Sequence, residues 1–119
     1  MNFDQVDAAY RRALGRFDAI NIRRYSGAGP HRPFFDWDCH ARIVDYDPAA
    51  IVGSVKQGDQ RLIVMVSDLI AVQFPLPVVQ GDKVVFAGRE LNIEKADGNT
   101  RRVQGRLVAY ELQVRGGGP

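Results

Sequence analysis

Cysteine is almost missing from this chain. Cys39 is the single one among 119 residues, which excludes a disulfide framework and a Cys-rich zinc site and fits a reducing compartment. Lysine is nearly as scarce, three against thirteen arginines, and arginine favours flat, two-pronged contacts to carboxylate or phosphate. Long hydrophobic runs are missing too. The richest, LIVMVSDLIAV from residue 62, is cut by Ser67 and Asp68 and is too short to span a bilayer. The opening MNFDQVDAAYRR carries two aspartates and no apolar core, which argues against a secretory signal. A soluble, cytosolic product is expected.

Catalytic signatures are equally thin. Ser26, Ser54 and Ser67 lack a G-x-S-x-G context, and no phosphate loop of the G-x-x-x-x-G-K type occurs. The histidines are only two, His31 and His40, with no H-x-x-x-H or H-x-E spacing between ligands. Aromatic residues do not form the solvent-facing row on neighbouring strands that stacks single-stranded bases. No enzyme and no cofactor is expected.

What is present belongs to one small domain. Hydrophobic residues make up 45% and charged ones 25%, ordinary for a globular chain able to stand without staples. Over residues 4–17, Val6, Tyr10, Ala13, Leu14 and Phe17 fall on one face at helical spacing. Asp7 and Arg11 stand in the favourable i,i+4 order, and Asn2 with Gln5 forms a capping-box pattern. Such a helix packs over a sheet, binds a partner by its basic face, or does both.

After the helix the period changes to two. AINIRRY reads as a strand with Ile20 and Ile22 on one side, and SGAGPHRP as a loop. In FFDWDCHARIV, residues 34–44, Phe35, Trp37, Cys39, Ala41 and Ile43 alternate with Asp36, Asp38, His40 and Arg42. This alternation marks a half-buried strand. It puts Cys39 and Trp37 toward the core and leaves Asp36, Asp38 and His40 on the opposite face. On such a face a metal needs further ligands from a neighbouring strand, so a solvated or interface surface is preferred to a metal or hydrolytic site. Trp37 is expected in the core, at a cost of roughly 3–5 kcal/mol for Trp37→Ala.

RLIVMVS, residues 61–67, is apolar on both faces and reads as a central strand covered on both sides. SDLIAVQFPLPVV reads as a one-turn helix or a loop. KVVFAG, RELNIEKA and VQGRLVAYELQVR follow as strands, parted by AG and DGNTR turns. QGD at 57–59 recurs at 80–82, each time before a strand. Five or six strands with such turns predict a mainly β fold: a small antiparallel barrel or sandwich over residues 1–115, with an N-terminal amphipathic helix, a long loop and a flexible tail at 116–119.

Charge is small in sum, +2, and segregated in sequence. Arg11, Arg12, Arg16, Arg23, Arg24 and Arg32 face only Asp18 within residues 11–32, while Asp36, Asp38, Asp45 and Asp47 outnumber Arg42 within 36–47. These ten residues are the candidate contacts to neighbouring subunits or partners, one subunit's basic patch meeting the next one's acidic patch. An ordinary solvated surface gives the same pattern. Residues 45–60, with Pro48, Gly53 and Gly58, are read either as a hairpin extension or as a functional loop.

The order helix, RRY-SG-G loop, AR-containing strand, QGD, apolar strand and P-x-P, followed by GDKVVFAGRELNIE and AYELQVRG, resembles the head-closure proteins of tailed bacteriophages, also called stoppers or head–tail joining proteins. The match is best over residues 80–115 and looser over the rest. The resemblance implies a structural β-barrel subunit of the virion neck, assembled in the host cytoplasm. It implies a homo-oligomeric ring, on the order of six or twelve copies, between portal or adaptor proteins and tail terminator or tail proteins. Packaged double-stranded DNA would lie in the lumen without sequence readout, and no membrane is involved. On that basis Ile51, Val52, Val55 and Lys56 are the candidate lumen loop, with SGAGPHRP left to dock a neighbouring ring. Replacing residues 49–57 by a Gly-Ser linker should then let particles join but leak DNA. Two other classes stay open: a nucleic-acid-binding barrel using the arginines of residues 11–32, and a metal-dependent hydrolase on Asp36, Asp38 and His40.

Overall fold

A computed structural model describes residues 2–45 and 58–116. Asp47, Ile51, Val52, Val55 and Lys56 therefore lie outside the described residues, as does the tail beyond Gly116.

The N-terminal helix, α1, runs Phe3–Leu14. Its start follows the sequence signal: Gln5 N–H donates to the Asn2 side chain at 2.8 Å while Asn2 N–H donates to the Gln5 side chain at 3.0 Å. Its end comes earlier than periodicity suggests. Gly15 takes φ 78° and its N–H returns to the Arg11 carbonyl, so Phe17 reaches the apolar face from the connecting segment rather than from the helix.

The remaining chain is mainly strand: β1 (Asp18–Tyr25), β2 (Phe34–Asp45), β3 (Gln60–Met65), then a short α2 (Val66–Ala71), β4 (Lys83–Phe86), β5 (Arg89–Asp97), β6 (Arg102–Val103), β7 (Arg106–Leu107) and β8 (Ala109–Gly116). Six of the strands close into an antiparallel barrel in the order β1-β2-β3-β8-β5-β4, which settles the choice between barrel and sandwich. The contacts around the wall are unequal. β1 and β2 pair over eight positions, Asp18↔Ala41 to Tyr25↔Phe34, whereas β1 and β4 close the cylinder over only three, Asn21↔Val85, Ile22↔Val84 and Arg23↔Lys83.

Two-residue turns and one irregularity bend the wall into a circle. Ala87 and Gly88 both take positive φ between β4 and β5, 53° and 75°, the twist-matched hairpin turn that glycine makes affordable. In β5 the register slips between Ile93 and Lys95, so the inward series Leu91, Ile93 resumes at Ala96. The single strand expected over residues 103–115 is broken: Gln104 and Gly105 turn left-handed and fold β6 on β7 as a separate hairpin before β8 begins.

Alternation then divides the apolar residues between two sides of the wall. Ile20, Ile22, Cys39, Ala41, Leu62, Val64, Val84, Leu91, Ile93, Tyr110, Leu112 and Val114 fill the barrel. Ile63, Met65, Val108 and Ala109 turn outward and are covered by Phe3, Val6, Tyr10, Leu14 and Phe17. β3 is thus covered on both faces, as its unbroken apolar sequence predicts. The phase expected for β2 holds, but the depth expected for Trp37 does not. Trp37 is only half-buried at the barrel's end, its ring edge-on to Phe74 at 4.9 Å.

Strand direction sorts the connections by end. The 26–33 loop, α2 and the irregular stretch 72–82 meet at one end, where Leu69, Phe74 and Val78 plug the barrel. The ends of β2 and β3 that flank residues 46–59 lie at the other.

Candidate functional site

Each end of the barrel carries a clamped turn. Gly81 takes φ 100°, and the next residue, Asp82, is 3% exposed. Arg24 grips it with a fork: Nε donates to Oδ1 at 2.8 Å and Nη2 to Oδ2 at 2.7 Å. The same guanidinium donates to the carbonyls of Pro75 and Pro77 at 3.1 and 3.0 Å and lies 4.9 Å from the Phe74 ring centroid. One side chain thus ties the Asp82 turn to the 74–77 segment of the plug. At the other end Gly58 takes φ 93° and Asp59 is 4% exposed. Arg115 grips it in the same geometry, Nε to Oδ1 at 2.8 Å and Nη2 to Oδ2 at 2.9 Å, while Nη1 reaches Glu94 at 2.7 Å. Gln113 donates to the same carboxylate at 2.9 Å. Hydrogen bonding to the buried aspartate is the main force raising the pKa of both arginines.

The arginines singled out in the sequence have separate fates. Arg11 donates to Asp7 at 2.9 Å, to Ser67 at 2.7 Å and to Asp68 at 2.7 and 3.2 Å, tying α1 to α2. Arg23 forks onto Asp36 at 2.8 and 3.2 Å, reaches Glu90 at 3.0 Å and sits 4.0 Å from the Phe34 ring centroid. Bonding to Asp68 and to Asp36 holds the pKa of Arg11 and of Arg23, respectively, above the ordinary guanidinium range. Arg16 pairs with Asp18 at 3.1 Å in solvent, and Arg32 lies 4.4 Å from the Tyr25 ring centroid. Arg12 is exposed on α1. The basic and acidic segments are therefore neighbouring strands, and part of their complementarity is spent inside the chain, Arg23 against Asp36.

Of the acidic set, Asp38 is exposed and, among the described residues, accepts only from Asn21, at 2.7 Å. Asp45 accepts from Gln60 at 3.1 Å. Asp36, Asp38 and His40 do share the outer face, with Arg23, Asn21 and Ala19 opposite them on β1. That neighbouring strand supplies a cation, an amide and a methyl group there, and no further carboxylate, imidazole or thiol. Among the described residues no three His, Cys, Asp or Glu side chains gather as a metal group.

No family model, curated protein or solved structure matches this chain.

Cys39, the lone thiol, is 4% exposed inside the barrel, where burial, with smaller contributions from Asp68 and Asp38, pushes its pKa up to about 12. A nucleophile needs the opposite shift. The paired clamps escape a reading of the sequence because their partners lie far apart, Arg24 from Asp82 and Asp59 from Arg115. The repeated QGD was the available signal, and it pointed to turns without disclosing that each aspartate is buried under an arginine.

Proposed function

We propose that the chain is a structural neck protein of a tailed bacteriophage or phage-like particle, a head-closure subunit that assembles as a ring between portal–adaptor and tail and lets packaged DNA through. The observation that carries this proposal is the clamped turn at each end of the barrel, Arg24 on Asp82 and Arg115 on Asp59. A ring component is loaded along its axis from both sides. Turns gripped by planar forks keep both ends in fixed shape, and the part of the wall that α1 leaves uncovered stays available to neighbouring copies. The resemblance over residues 80–115 supports the same role, and no catalytic part is assigned to any residue.

The competing nucleic-acid module is less favoured. Non-specific phosphate binding requires cations free to replace counterions, and Arg11, Arg23 and Arg24 already have carboxylate partners. Purified particles made in cells that carry the gene are the test. Peptides of the chain and ring density at the neck in cryo-EM averages are expected. Particles that join head to tail without the chain overturn the proposal. A salt-dependent gel shift by the monomer would favour the nucleic-acid module instead.

A further inference from the structure

The barrel is closed, yet one stretch of its wall has a neighbouring strand on one side only, with α2 packed against β2 where β3 stops. β2 begins at Phe34, but its ladder with β3 begins only at Ala41↔Val64. Over residues 34–40 it pairs with β1 alone. Ser26 N–H donates to the Pro33 carbonyl, which fixes the alternation: Phe35, Trp37 and Cys39 bond to β1, while Phe34, Asp36 and Asp38 aim their N–H and C=O groups the other way. Among the described residues those groups meet no protein partner. Phe34, Asp36 and Asp38 are all exposed, so this edge lies open to solvent.

We propose that the edge of β2 from Phe34 to Asp38 is a docking edge for an extended segment of a partner protein whose side chains alternate between basic and apolar. An added strand would take up the three idle N–H and C=O pairs. Its residues on the outer face would lie beside Phe34, Asp36 and Asp38. Asp36 already has Arg23, but among the described residues Asp38 has no cation, so lysine or arginine fits there. Its residues on the inner face would lie beside Phe35, 65% exposed, and the half-buried Trp37, so apolar side chains fit there. A second copy's β2 fits less well. Antiparallel self-pairing centred on Asp36 or Trp37 sets Asp36 against Asp36 or Asp38 of the other copy, and like charges directly opposite repel. Carboxylates alone would mark an edge guarded against aggregation, but Phe34 and Phe35 leave 45% and 65% of their surface in water beside them. That apolar surface favours use over protection. The proposal does not depend on the neck-ring role.

The test is amide hydrogen exchange, residue by residue, on the full chain with a peptide of about seven residues alternating valine and lysine, and with its valine–glutamate counterpart. Slowing of about tenfold or more at Phe34, Asp36 and Asp38, with Phe35, Trp37 and Cys39 unchanged, is expected for the lysine peptide. Added salt should weaken that effect. Asp38→Asn keeps an acceptor for Asn21 and should weaken lysine-peptide binding several-fold; Asp38→Lys should shift preference to the glutamate peptide. A melting curve checks that each variant folds, and Asp38→Asn decides if Asp38→Lys does not. No protection at millimolar peptide, or equal binding of both peptides, overturns the proposal. Protection of the same amides that grows with protein concentration and needs no peptide also overturns it, because the occupant is then another copy.

Discussion

Asp59 and Asp82 do the same work at opposite ends of the barrel. Each follows a glycine in the left-handed region, each is almost wholly buried, and each receives Nε and Nη2 of one arginine on its two oxygens. Removing the arginine leaves a carboxylate away from water with its charge unmatched. Arg24→Ala should cost about 2–4 kcal/mol, less than a fully buried pair because Arg24 itself is partly exposed. Arg24→Lys should recover only part of that loss, since an ammonium cannot make both fork bonds. Denaturant midpoints at constant m-value measure both. Arg115→Ala should destabilise in the same direction.

Cys39 should resist thiol reagents in the folded protein and react only as fast as the barrel opens. The pH dependence follows from its raised pKa. The folded chain keeps the proton to about pH 12, whereas the unfolded thiol loses it near 9.0. Between those values the native state binds more protons, so this residue makes stability fall as pH rises, by up to about 1.4 kcal/mol per pH unit. Urea melts of wild type and Cys39→Ala between pH 8 and 11 should diverge accordingly, with the variant the flatter of the two.

Arg11 joins α1 to α2 through Ser67 and Asp68. Its loss should loosen the helix without detaching it or unfolding the barrel, because the apolar contact of Phe3, Val6, Tyr10 and Leu14 remains. In Arg11→Ala, exchange at α1 amides should speed up several-fold while β3 and β8 amides keep their rates. Equal acceleration everywhere would mean that helix and barrel unfold as one unit.

Trp37→Ala should cost about 2–3 kcal/mol by thermal or chemical melting, below the range for a fully buried ring. What is lost is mainly the edge-on contact with Phe74 at 4.9 Å. Phe74→Ala should therefore overlap with it, and the double variant should fall short of the sum of the two.

Local pattern made much of this fold legible. The capping box of α1, the inward phase of Ile20, Ile22, Cys39 and Ala41, the two-sided burial of β3 and the Ala87–Gly88 turn all depend on neighbours in sequence. Three things were not legible. Trp37 has the right phase for the core but stands where the barrel ends, and strand length cannot reveal that. The Gln104–Gly105 turn sits in a run that alternates well enough to pass as strand. The arginines read as one basic surface, yet Arg23 and Arg24 find their carboxylates 13 and 58 positions away, and Arg11 adds to its near partner Asp7 a second one 57 positions away. Charge pattern in one dimension does not record such pairings.

A cylinder withstands outward force only as well as its shortest seam. Here that seam is the junction of β1 with β4, three facing positions against eight on the other side of β1. Its two strands come from distant parts of the chain, so no local turn holds them in register. Under a transient load the wall should part there first, with a coherent hairpin on either side of the break: β1 on β2, and β4 on β5. Opened along that line, the barrel becomes a curved six-stranded sheet with β1 and β4 as its free margins. Arg23, paired with Lys83 in the backbone register and bonded to both Asp36 and Glu90, spans the parting line as a cross-stitch from β2 to β5.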